Sequence, residues 1–79
     1  MDNKCTLDML PLNESAVVEY IDCNEKLKNR LFDFGIIENS IITPVFNSPF
    51  SDPRAYLIKN SVIALRNNDS KKITVSPIK

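Results

Sequence analysis

The sequence predicts an all-β domain: a small barrel of about five short strands with one inserted α-helix. Three observations point there. The chain has 79 residues, room for one domain with a thin core and not for two. Short β-branched and aromatic runs recur along it, each interrupted by proline or by Asn- and Ser-rich turns. Only one stretch, Asn24 to Phe34, carries helical spacing of large apolar residues. Strands this short cannot build a broad sandwich, and closing them into a barrel removes exposed edges. A single domain over 1–79 is expected, with the barrel over 6–75, the helix over 24–34 and a tail at 76–79.

The elements follow in order. Thr6 is placed to cap one helical turn, with Leu7 and Leu10 on one face and Pro11 ending it. Ser15 to Ile21 reads as a strand whose alternation is imperfect. Ala16, Val18 and Tyr20 fall on one face, and Val17, Glu19 and Ile21 on the other, a mixture that suits a strongly curved strand. In the helix, Asn24 is a good N-cap and Glu25 favours the first turn. Leu27, Leu31 and Phe34 form the apolar stripe at i, i+4 and i+7, and Gly35 follows as the left-handed closing residue. Ser40 to Asn47 is a strand containing Pro44, which requires an edge, a bulge or one-sided pairing there. Ser48 to Arg54 holds two prolines and reads as an ordered loop. Ala55–Lys59 and Val62–Arg66 form a hairpin about Asn60-Ser61. Asn67 to Lys72 allows a single helical turn, and Ile73 to Val75 is the last strand.

Composition excludes several functions. Apolar residues make up 43% and charged residues 25%, the profile of a folded soluble domain rather than a disordered chain. Ten basic residues balance ten acidic ones, which argues against binding nucleic acid. No apolar run approaches the ~20 residues needed to span a bilayer. Met1 to Lys4 has no signal-peptide pattern, so a cytosolic location without membrane insertion is expected. The chain has no histidine, which removes the usual general base and transition-metal ligand. Asp22, Glu25, Asp33 and Asp69 offer only oxygen, which suits hard cations better than Fe²⁺. Cys5 and Cys23 have no partner at zinc-ligand spacing and read as inert thiols in a reducing compartment. No catalytic residue, cofactor or metal site is therefore expected.

The order of the motifs resembles one family. Leu31-Phe32-Asp33-Phe34-Gly35-Ile36 is similar to an L-x-x-[ML]-G-[LI] helix end. Ser48-Pro49-Phe50-Ser51-Asp52-Pro53 is similar to a P-x-G-D-P loop. Ala64-Leu65-Arg66 followed by Asp69 to Val75 is similar to an A-L-R-x-x-[DE]-A-x-x-I-x-V ending. Together they resemble the FeoA family of bacterial ferrous-iron transport from Thr6 to Val75. The resemblance implies an SH3-like barrel and a non-enzymatic accessory protein. It further implies docking on the cytoplasmic part of a FeoB-type ferrous-iron permease, which would bring the chain to the inner face of the cell membrane. The alternative it leaves is a regulatory interaction domain like the C-terminal domain of iron-dependent repressors. Where the family has glycine, this chain has Asn13, Asn39 and Asn60. Asparagine tolerates positive φ better than most residues, so left-handed turns are expected at all three, as at Gly35.

Partner-contact candidates are few. Phe32 lies off the helix stripe and Phe50 lies in the proline loop, and an aromatic held at the surface is a natural contact anchor. Asp52 and Pro53 are further candidates, with a local role as the competing reading: Asp52 bonding backbone and Pro53 setting entry to the next strand. Lys26, Lys28, Arg30, Lys71 and Lys72 read as a solvated charged surface, and Arg66 as pairing with Asp33 or Asp69.

Overall fold

The sheet is assembled from β1 (Cys5–Thr6), β2 (Ala16–Ile21), β3 (Ile41–Asn47), β4 (Arg54–Ile58), β5 (Ser61–Leu65) and β6 (Ile73–Pro77). Its order is β1-β6-β2-β3-β4-β5, with every neighbouring pair antiparallel. A 3-10 turn at Leu7–Met9 follows β1, helix α1 (Glu25–Asp33) links β2 to β3, and the four-residue helix α2 (Asn67–Ser70) links β5 to β6. The computed structural model describes residues 4–22, 24–49 and 52–78. Phe50, Ser51 and Cys23, for which the sequence raised expectations, lie outside the described residues.

The strand count and the tail differ from expectation. β1 is only two residues long, too short to leave a pattern. β6 runs on through Ser76 and Pro77, opposite Val17 and Ala16, so the tail begins later than residue 76. Thr6 does precede the 3-10 turn with the extended backbone of an N-cap, but its side chain makes no capping hydrogen bond; its backbone also pairs in β1 opposite Thr74.

Two bulges curve the sheet. The β2–β6 register shifts between Val18 and Tyr20. The extra residue swings Tyr20 outward and brings Ile21 into the core, which is why strict alternation fails in this strand. The β3–β4 register shifts between Pro44 and Phe46. β2 pairs with β3 only at Ile41 and Ile42, so Pro44 sits beside a bulge and past the β2 ladder, as a proline requires.

Helix α1 begins where Asn24 Oδ1 accepts the Leu27 N–H at 2.9 Å. It ends in a Schellman closure: the Gly35 N–H donates to Phe32 O and the Ile36 N–H donates to Leu31 O, both at 2.9 Å. Gly35 has φ +89, a conformation glycine adopts without a Cβ penalty. Leu31 is buried and Leu27 packs against the core, but Phe34 is exposed. Phe34 is the C-cap, and the chain reverses immediately after it. Ile36 takes the interior place that the i+7 count gave to Phe34.

Asn13 and Asn39 have φ +69 and +76, the left-handed geometry expected of them. Asn60 does not; the left-handed residue of that turn is Lys59, at φ +54. Ile58 pairs with Ser61, so Lys59 and Asn60 form a two-residue loop. One positive φ, at the first loop position, is the sign pattern of a type II′ turn rather than I′.

The core joins Leu7 and Leu10 to residues from every strand but β1, together with Leu31 and Ile36. The expected full closure is not achieved by a ladder: among the described residues β1 and β5 do not pair, and each remains a sheet edge. A side chain joins part of the opening. Arg54, expected in the loop, starts β4 and is only 7% exposed. Its Nη1 donates to Asp8 O at 3.0 Å and its Nη2 to Leu10 O at 2.9 Å, fastening the 3-10 segment to the start of β4. Its guanidinium also lies 5.5 Å from the centroid of the Tyr56 ring.

Candidate functional site: an apolar groove beside helix α1

An amphipathic helix has one apolar stripe, and α1 uses its stripe on the core. Phe32 is one position past Leu31, so the helical rotation turns it away from the interior. It is 65% exposed. After the Schellman closure the chain presents two consecutive isoleucines. Ile36 enters the core, and Ile37, its neighbour, is left 42% exposed. These residues border a groove of about 350 Å³ lined by Ile21, Lys28, Phe32, Ile36, Ile37, Glu38 and Asn39.

Local geometry holds the groove's far wall. The Ser40 Oγ donates to Gly35 O at 3.2 Å, and the Ile37 N–H donates to Ser40 Oγ at 3.2 Å. Asn39, left-handed, donates its N–H to Val18 O at 2.7 Å, and the Val18 N–H donates to Ser40 O at 2.8 Å. Segment 36–40 is thereby tied to β2. The groove has an apolar lining from Ile21, Ile36, Ile37 and Phe32, plus one lysine and one glutamate. Such a surface is chemically suited to take up an apolar side chain or short apolar segment by burial, with two charges available for orientation.

The other candidates lie elsewhere. Asp52 Oδ1 accepts the Asn67 N–H at 2.9 Å, satisfying a donor that the first turn of α2 leaves open. The Pro53 carbonyl accepts the Ser48 N–H at 3.3 Å. Neither residue lines the groove. Arg66 makes no ion pair among the described residues. A second, more polar cleft of about 220 Å³ is lined by Asn24, Lys26, Leu27, Arg30, Asp69 and Lys72.

Chemistry in the fold is sparse. Among the described residues no cluster of three or more His, Cys, Asp or Glu is placed to hold a metal ion. The Cys5 thiol is pushed above its ordinary pKa, first by burial and then by the Asp8 charge, so it is a poor nucleophile at neutral pH. Burial also raises the Tyr56 phenol, opposed by the Ser70 hydroxyl and the Arg54 cation. Among the described residues no helix is long and apolar enough to cross a membrane.

Of the groove's apolar lining, sequence reasoning singled out Phe32 and did not single out Ile21, Ile36 or Ile37. The available signal was the pair Ile36-Ile37 just after a helix-closing glycine, since only one of two adjacent residues can turn inward there.

Comparison with known proteins places this geometry. The family model described as the FeoA domain matches residues 5–77. A Campylobacter jejuni protein whose name assigns it to Fe(2+) transport is 29% identical over 73 residues, covering 92% of this chain and 99% of that protein. The FeoA of Stenotrophomonas maltophilia was solved with zinc and described as a prokaryotic SH3 domain protein. It superimposes with a TM-score of 0.76 at 30% identity, over 89% of this chain and 87% of that one. The Chlorobium tepidum FeoA superimposes with a TM-score of 0.88 at 22% identity, over 94% of this chain and 70% of that one. The barrel is also shared with a manganese-dependent transcriptional repressor, at a TM-score of 0.86 and 15% identity, where it corresponds to 44% of that chain. The fold is SH3-like, and the chain belongs to the FeoA family.

Proposed function

We propose that this chain is a non-enzymatic cytoplasmic accessory of ferrous-iron uptake that docks on the cytoplasmic part of a FeoB-type permease through the α1 groove. The observation that carries the reading is Phe32: a large aromatic, 65% exposed, at the rim of an apolar groove. A solvent-exposed phenyl beside an apolar hollow gains free energy when a partner covers both. Family membership and the Campylobacter relative's Fe(2+) transport name support iron uptake as the process. The absence of histidine, and a Cys5 thiol raised above its ordinary pKa, support a non-catalytic role. Docking changes transport only to the extent that the groove's affinity differs between conformations of the permease.

The test is co-purification. The tagged chain, expressed in cells that carry the permease, should retain it from detergent extracts, and Phe32→Ala should lose it while remaining folded. A permease held equally by both forms, or by neither, would remove the groove from the proposal. The second reading, a regulatory interaction domain, rests on the barrel shared with the manganese-dependent repressor. Recovery of a repressor in place of the permease would select it.

A further inference from the structure

We propose that the free edge of β5 pairs antiparallel with β5 of a second copy of this chain, about a two-fold axis passing through Ile63. The inference is independent of the groove and of the permease.

The argument starts from hairpin geometry. The two-residue loop Lys59-Asn60 makes Ile58–Ser61 a hydrogen-bonded pair, and such pairs alternate along an antiparallel ladder. Tyr56–Ile63 and Arg54–Leu65 are therefore the next hydrogen-bonded pairs. The backbone groups of Ser61, Ile63 and Leu65 point at β4. Those of Val62 and Ala64 point away from it, and among the described residues nothing accepts from or donates to them.

The two ends of the sheet are treated differently. β1 is protected by being two residues long. β5 is five residues long, in continuous register, with no charge, no proline and no bulge. Those are the devices that ordinarily keep an edge from pairing.

A second copy of the same strand fits this edge. An antiparallel two-fold pairing centred on Ile63 sets Val62 opposite Ala64 of the second copy, and Ala64 opposite its Val62. That is the register in which all the outward N–H and C=O groups of Val62 and Ala64 find partners. Ile63 then meets its own copy as a close, non-hydrogen-bonded pair, covering a side chain that is half-buried in the monomer. Ser61 to Leu65 carries no charge, so no like charges oppose within the paired residues. Val62, 56% exposed, continues the outward row of Leu57 into the second copy. An edge of this length buries less than the roughly 1,200 Å² of a stable interface, so the dimer is weak and concentration-dependent.

The test uses the full chain. Sedimentation equilibrium should show mass rising from monomer towards dimer with concentration. Amide exchange should slow at Val62 and Ala64 over the same range, about tenfold when about nine-tenths of the chains are paired. Ser61, Ile63 and Leu65 should be protected at every concentration. Ala64→Pro removes an outward donor without touching the β4 ladder and should abolish both effects. Ala64→Lys, a milder edge block, should weaken them if the proline disturbs folding. A chain that stays monomeric, or a dimer whose Val62 and Ala64 amides exchange as fast as in the monomer, overturns the proposal. So does a dimer that survives both substitutions.

Discussion

Arg54 and Phe32 occupy the places that hydrophobicity alone would exchange. The guanidinium is 7% exposed and the phenyl 65%. The difference teaches where this fold spends polar and apolar surface. Arg54 is buried because it is used inside the molecule: two carbonyls of the 3-10 segment have no strand partner, and the guanidinium supplies both donors. Phe32 is exposed although nothing in the chain requires it there. A buried charge that donates two hydrogen bonds to otherwise unpaired carbonyls explains itself by stability. An exposed aromatic beside a groove has no such internal use, and the proposed docking is what would cover it.

That contrast predicts opposite consequences for substitutions at the two places. Arg54→Ala leaves the Asp8 and Leu10 carbonyls without their donors and opens the seam. It should cost about 3–4 kcal/mol, measured by urea denaturation. A loss below about 1 kcal/mol would show that water replaces the guanidinium and that the seam contributes little. Leu31→Ala, on the buried side of the same helix turn as Phe32, should cost about 3 kcal/mol and should loosen the groove wall as well.

Gly35→Ala should cost about 1–2 kcal/mol. A Cβ there meets nothing closer than Lys59 Cε at 4.0 Å, so the loss reflects the positive φ alone. The pH response is smaller. Cys5 and Tyr56 both have raised pKa values in the fold. Each therefore favours the folded state fully below its unfolded pKa, and the contribution is lost as pH rises past it. Denaturation midpoints should fall above about pH 9, and less so in a Tyr56→Phe variant.

The sequence made the helix and most strands legible because their signals are local. Asn24 and Gly35 bracket α1 as caps do, and the polar Asn60-Ser61 pair signals a hairpin, one residue past the observed Lys59-Asn60 loop. What it concealed depends on partners distant in the chain. β1 exists because Thr74 and Val75 lie beside it. The bulge at Glu19 is a register event with β6, invisible in β2 alone. Pro77 extends the last strand because Ala16 is there to pair with it. Lys59, rather than Asn60, is left-handed because the hairpin register fixes the turn type, which outweighs the intrinsic tolerance of asparagine. Of the site, Phe32 could be singled out by rotation from Leu31, whereas the placement of Ile21 depends on the β2 bulge.

The smallest expected change in stability accompanies the largest expected change in binding. Phe32→Ala, at an exposed position, should alter stability by less than about 0.5 kcal/mol. The most direct measurement is a titration of the purified cytoplasmic part of a FeoB-type permease with the parent chain and with Phe32→Ala, both at equal thermal stability. Saturable binding by the parent that weakens at least about tenfold in the variant is the predicted result. Indistinguishable affinities for the two forms would contradict it.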